Sequence, residues 1–324
     1  MRGLLFHIIL GGKKLPQIFF TYEQQVEKLL LEKNLCIPDR KSAMETLEQI
    51  GYYSLISGYK EPFKHASSGK YLYGVTFEEL VALYYFDEEL RTLFLKYILH
   101  IERHIKSVTS YHFCEKYGAG QQAYLNPDNY SLTQKSTAEV HKLVSSLQKT
   151  ISLPSRYAYM NHHANKYGNI PLWVAMNAMT FGQVSKIHQY IPNDIQSKIS
   201  QKFPHVTERS LHQFITVLAR CRNVCAHGER LFSFRIRETI PDTTLHKKLE
   251  ISQHSGQYMM GKQDLFSVVI ALYYLIKKEE FEQFKCKLSE LFIHIVQNCP
   301  HLSEEQLYRT MGFPRNWSDI TLLS

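Results

Sequence analysis

Glycine and proline are scarce, at 15 and 11 in a chain of 324 residues. A sandwich of many short strands needs turn formers every few residues, so their scarcity excludes that architecture and favours long helices. Only six cysteines occur, at positions 36, 114, 221, 225, 286 and 299. Scattered through a chain of this length, they are not a disulfide framework. Cys221 and Cys225 stand one helical turn apart, but no second pair has zinc spacing, and they read as buried packing residues. The adjacent His162 and His163 point about 100° apart on a helix and make no ligand pair. No metal or other cofactor is therefore expected. No apolar run approaches the ~18–20 residues of a membrane-crossing helix, and no membrane partner is expected.

Hydrophobic residues make up 44% and charged residues 21%, the balance of a globular chain with a core. The formal net charge is +8. A basic surface suits a polyanion such as RNA, and it also serves simple solubility. The first ten residues pair one basic side chain with a short apolar run. No small-residue cleavage site follows and Lys13 and Lys14 interrupt, so residues 1–20 read as an extension and a cytoplasmic protein is expected.

Periodicity predicts helices through the rest of the chain. One covers 21–33, with Thr21 as N-cap. A second covers 42–50, with Ser42 and Glu45 in capping-box spacing. The segment GYYSLISGY (51–59) reads as a packed connector whose tyrosines serve the core or face a ligand. The longest pattern, 76–117, opens on a Thr76–Glu79 capping box and carries Leu90, Phe94, Ile98, Ile101, Ile105 and Val108 down one face, with room for a break at Phe86-Asp87. Residues 118–135 read as a loop and 136–151 as a helix. A buried helix is expected over 170–179, broken at 180–182, and further helices over 183–190, 194–203 and 210–227. Residues 229–261 read as a loop insertion, 262–278 and 279–297 as amphipathic helices, and 301–324 as a tail with one short helix and an extended strap. The expected fold is all-α: an N-terminal helical lobe over 21–75, a helical bundle over 76–300 interrupted at 229–261, and the tail.

One stretch carries chemistry: RCRNVCAHG, residues 220–228. The helix it closes has an apolar stripe of Leu211, Phe214, Ile215, Leu218, Cys221 and Cys225. Arg222 falls within that stripe, four residues after Leu218. A guanidinium facing a core or cleft is costly unless it is paired or used. His227 follows five residues later, and Gly228 is a helix stop. A fixed positive charge beside a titratable ring is the minimum equipment for handling a phosphodiester. Glu102, at the edge of the stripe on the long helix, is the candidate partner for Arg222. The plainer alternative keeps Arg222 as a paired structural arginine and His227 as a cap.

These residues bring a family into view. GYYSLISGY with Pro62-Phe63, FDEELR (86–91) with IER (101–103), PLWV (171–174) with Phe181-Gly182, and RNVCAH (222–227) together resemble the abortive-infection proteins of the AbiD/AbiF type, the Abi-like family, a branch of the HEPN superfamily of RNases. The resemblance covers roughly 20–300. It implies a HEPN-type helical bundle, metal-independent RNA cleavage, a role in phage defence and, in some relatives, a small non-coding RNA partner. On that reading the substrate's own 2′-OH attacks the phosphate. His227 acts as general base or acid, Arg222 stabilises the pentacoordinate phosphate, Asn223 fixes the tautomer of His227, and Arg220 holds a neighbouring phosphate. Relatives pair two such motifs across a dimer interface, so a homodimer is expected. The competing reading is a non-catalytic RNA-binding or phage-sensing protein that acts with a small RNA or protein partner.

Overall fold

The structure, a computed structural model, describes residues 18–152 and 156–322. Most of the expected N-terminal extension, residues 1–17, and the last two residues of the tail lie outside the described residues. Among the described residues the fold is all-α apart from one hairpin, β1 (Gln253–His254) antiparallel to β2 (Gln257–Tyr258). The chain divides into two compact units, Met1–Val81 and Ala82–Ser324.

In the first unit, α1 (Tyr22–Glu27) begins at Thr21, which accepts from the Gln24 amide while the Gln24 side chain accepts from that of Thr21. It widens into a π-helical turn, Lys28–Glu32. Helix α2 (Arg40–Ile50) starts two residues before its expected position. The Asp39 carboxylate, not a Ser42–Glu45 box, takes the Lys41 and Ser42 amides at 2.9 and 3.1 Å. The acidic cap just after Pro38 satisfies the orphan amides first. The 51–59 connector holds a second π-helical turn, Tyr53–Ser57. Its Leu55, Ile56 and Tyr59 are buried, whereas Tyr53 is 82% exposed. This unit's core includes Val26, Leu29, Leu47, Leu55, Phe63 and Val75.

Helix α3 (Phe77–Tyr117) runs unbroken for 41 residues from the Thr76–Glu79 capping box. The break expected at Phe86-Asp87 does not occur, because Asp87 is buried with its carboxylate bonded to Arg91 one turn on and to backbone amides elsewhere. The 118–135 region, expected as loop, contains α4 (Gln121–Leu125) and a 3₁₀ turn. Next come α5 (Thr137–Ile151) and α6 (Ala158–Tyr167). Only Leu172–Ala175 of the 170–179 segment is helical (α7), and Thr180 caps α8 (Phe181–Tyr190) in a box with Gln183. The Thr-Phe-Gly read as a breaker is thus the start of the next helix.

Helix α9 (Asn193–Ser200) leads to α10 (Glu208–Ala226), capped by Thr207 and packed against α8, α9 and α12 (Leu265–Leu275). The expected amphipathic 262–278 helix is shorter and, over nine of its eleven residues, buried; its flanking lysines lie outside it. Segment 229–261 is folded in rather than loose. It carries α11 (Thr244–Lys248), the hairpin, and the buried Leu231, Phe232, Phe234, Ile240, Leu245 and Ile251. Helices α13 (Lys278–Asn298) and α14 (Glu304–Met311) complete the unit, with Phe313 and Trp317 of the tail packed on Phe292.

Candidate functional site at the end of helix α10

The expected stripe on α10 is buried throughout, Cys221 and Cys225 included. The helix ends in a Schellman turn. His227 is its C-cap, just beyond Ala226, Gly228 takes φ 68°, the Gly228 amide returns to the Cys225 carbonyl, and the Glu229 amide returns to that of Val224. Glycine at 228 supplies the left-handed conformation the turn requires.

The chain beyond the turn is clamped from α3. Asp87 is fully buried, and its carboxylate accepts the Leu231 amide at 3.1 Å and the Phe232 amide. Arg91, also buried, donates to Asp87 at 2.7 Å and to the Glu229 carbonyl at 3.4 Å. A buried ion pair is tolerable when backbone groups complete it, as here. Neither residue was assigned a role by sequence reading, although both lie in the FDEELR stretch. Their i,i+4 spacing on an apolar helix was the available signal.

Arg222 is half-buried, with 30% of its side chain exposed. Its Nε donates to Glu102 Oε2 at 3.4 Å. Glu102 is buried and also takes Lys106 Nζ at 2.7 Å, while Lys106 donates onward to the Met179 carbonyl at 2.8 Å. The carboxylate therefore sits between two cations, one turn apart on α3 from the lysine and across from the arginine. Lys106, like Asp87 and Arg91, is a residue that sequence reading missed. The contact through Nε leaves both Nη groups of Arg222 without a protein partner among the described residues.

His227 is exposed and its ring has no protein hydrogen bond among the described residues. Its link to Asn223 is through the backbone, amide to carbonyl at 3.0 Å, and the exposed Asn223 side chain does not bond the ring. Arg220, exposed, donates through Nε and Nη2 to Glu238 Oε1 at 3.1 and 3.0 Å. Five residues separate Arg222 from His227, about 7.5 Å along the axis and about 140° around it, so the two are near neighbours that do not share a face.

A family model described as Abi-like protein matches residues 45–233. The chain belongs to the Abi-like protein family. Membership places it among abortive-infection proteins of phage defence. The matched span takes in α3 through α10, the Schellman turn and Phe232, the last residue held by Asp87. No curated protein and no solved structure matches this Abi-like chain significantly. Among the described residues no group of three or more His, Cys, Asp or Glu side chains is placed to hold a metal ion, and no helix is long and apolar enough to cross a membrane.

Proposed function

We propose that this Abi-like protein is a metal-independent endoribonuclease of HEPN type, acting in abortive infection at the end of α10. The observation that carries the reading is an exposed, unbonded imidazole five residues along the chain from an arginine whose Nη groups are unengaged, at a helix end that buried groups hold in place. The ribose 2′-OH of the substrate attacks the adjacent phosphorus as His227 removes its proton. Arg222 offers its Nη groups to the phosphate oxygens as charge develops. The 5′-oxygen leaves with a proton, giving a 2′,3′-cyclic phosphate and a 5′-OH end. Glu102, with Lys106 behind it, positions Arg222. Asn223 and Arg220 flank the path of the strand.

Two proton transfers require two groups, and one histidine supplies one at a time. A homodimer sets the His227 of a second copy on the opposite side of the phosphate.

The test is incubation of wild type, Arg222→Ala and His227→Ala with total cellular RNA in EDTA, with fragment ends mapped. Wild type gives cyclic-phosphate and 5′-OH ends. Each variant loses about two to four orders of magnitude in rate. A His227→Ala protein that cuts RNA as fast as wild type overturns the assignment.

A second reading is favoured by the salt bridges on Arg220 and Arg222, which give both arginines structural work. On that reading the protein holds RNA, including a small non-coding RNA, or a phage component, and acts by association. Tight RNA binding without product selects it.

A further inference from the structure

Helix α10 carries a second feature at its other end. Ser210 and Phe214, in its first turns, line a cavity of about 690 Å³. Ser210 precedes Arg222 by twelve residues, about 18 Å of helix axis, so the cavity is separate from the candidate active site. Its volume falls within the range of small-molecule sites.

One wall is aromatic and fixed. Phe214 and Tyr274 stack with centroids 5.6 Å apart and planes 13° from parallel. Tyr273 stands edge-on to Tyr274 at 5.2 Å and to Phe281 at 5.3 Å. The Tyr274 hydroxyl is joined to Thr244 Oγ1 at 3.1 Å. Rings held in this way are a stacking platform that costs little entropy to use.

The rim is basic. Lys248, Lys278 and His205 line the cavity. The acid on the lining, Asp242, is occupied by Lys262 at 2.6 Å. Like charges gathered around a concavity repel one another and concentrate anions there. His205 holds φ 62°, a left-handed conformation uncommon for residues with a side chain and frequent where a backbone is kept for use.

We propose that this cavity binds a phosphorylated nucleoside, with its base against the Tyr273–Tyr274 wall and its phosphate toward Lys248 and Lys278. The nucleotide is either free or the terminal unit of an RNA strand. The proposal does not depend on the nuclease reading, since it requires binding and no chemistry.

The test is calorimetric titration of the full-length protein with AMP, GMP, CMP and UMP, with inorganic phosphate, and with a 5′-phosphorylated RNA tetramer. The partners are a Lys248→Glu/Lys278→Glu double variant and Tyr274→Leu. Both lysines are exposed, so the double variant retains the wild-type circular dichroism and melting temperature. At least one nucleotide probe binds wild type, inorganic phosphate binds about tenfold or more weaker, and the charge reversal and Tyr274→Leu each weaken binding about tenfold or more. Binding of monophosphates as tight as that of the tetramer identifies a free nucleotide as the ligand, and binding of the tetramer alone identifies an RNA end. Failure of every nucleotide probe to bind, binding that survives the double variant unchanged, or phosphate binding as tight as nucleotide binding overturns the proposal.

Discussion

His188 has both ring nitrogens buried without a hydrogen-bond partner among the described residues, and its ring stacks at 6.1 Å, 3° from parallel, on His212, whose Nδ1 is also unbonded. Burial, reinforced by His212, pushes the His188 pKa down to about 3. The unfolded chain has an ordinary histidine there, titrating near 6.5. Between those values the unfolded state binds a proton that the folded state refuses. Stability is therefore full above about pH 6.5 and falls as pH drops toward about 3, by up to about 1.4 kcal/mol per pH unit from this residue. Urea titrations at steps from pH 7.5 to pH 4.5 measure the slope, and His188→Leu flattens it. An identical acid limb in that variant places the sensitivity elsewhere. The residues at the candidate site divide by how local their evidence is. Arg222 stands out in the sequence because it interrupts an apolar stripe, His227 because it follows Arg222 at the helix stop, and Glu102 because it lies at the edge of the stripe on the long helix. Lys106 and Asp87 show in the sequence only through the i,i+4 spacing to Glu102 and Arg91, since their other partners, the Met179 carbonyl and the amides of 231 and 232, are distant in sequence and belong to the backbone.

The supports of the site belong to single helices. Asp87 and Arg91 hold the exit of α10 from one turn of α3, and Glu102 and Lys106 hold Arg222 from another. Asp87→Ala strands two backbone amides and leaves the Arg91 guanidinium buried without its carboxylate, at a cost of about 3–5 kcal/mol. The midpoint of denaturant unfolding reads this directly, and a shift below about 1 kcal/mol would show that the segment after Gly228 anchors itself. Helix starts were legible where the cap is made by neighbours in sequence, as at Thr21–Gln24 and Thr76–Glu79. They were misplaced where two caps compete, as at Asp39 and Ser42. Helix α12 was misjudged for another reason: buried over nine of its eleven residues, it has no charged face to set a period, and the flanking lysines lie beyond its ends.

At the scale of the whole molecule, scarce turn residues and long periods made the all-α fold readable, while the packing of 229–261 was hidden because short helices and hairpins leave little periodic trace. Light scattering at high concentration checks the homodimer: a mass twice that of the chain is expected, and a monomer alone counts against the two-histidine scheme. The unbroken α3 has one more implication. Asp87, Arg91, Glu102 and Lys106 ride on a single rod, the outer pair about 28 Å apart. The grip on the arginine and the grip on the turn that presents the histidine are thus mechanically one part, and neither can be loosened by a bend in that rod without disturbing the other.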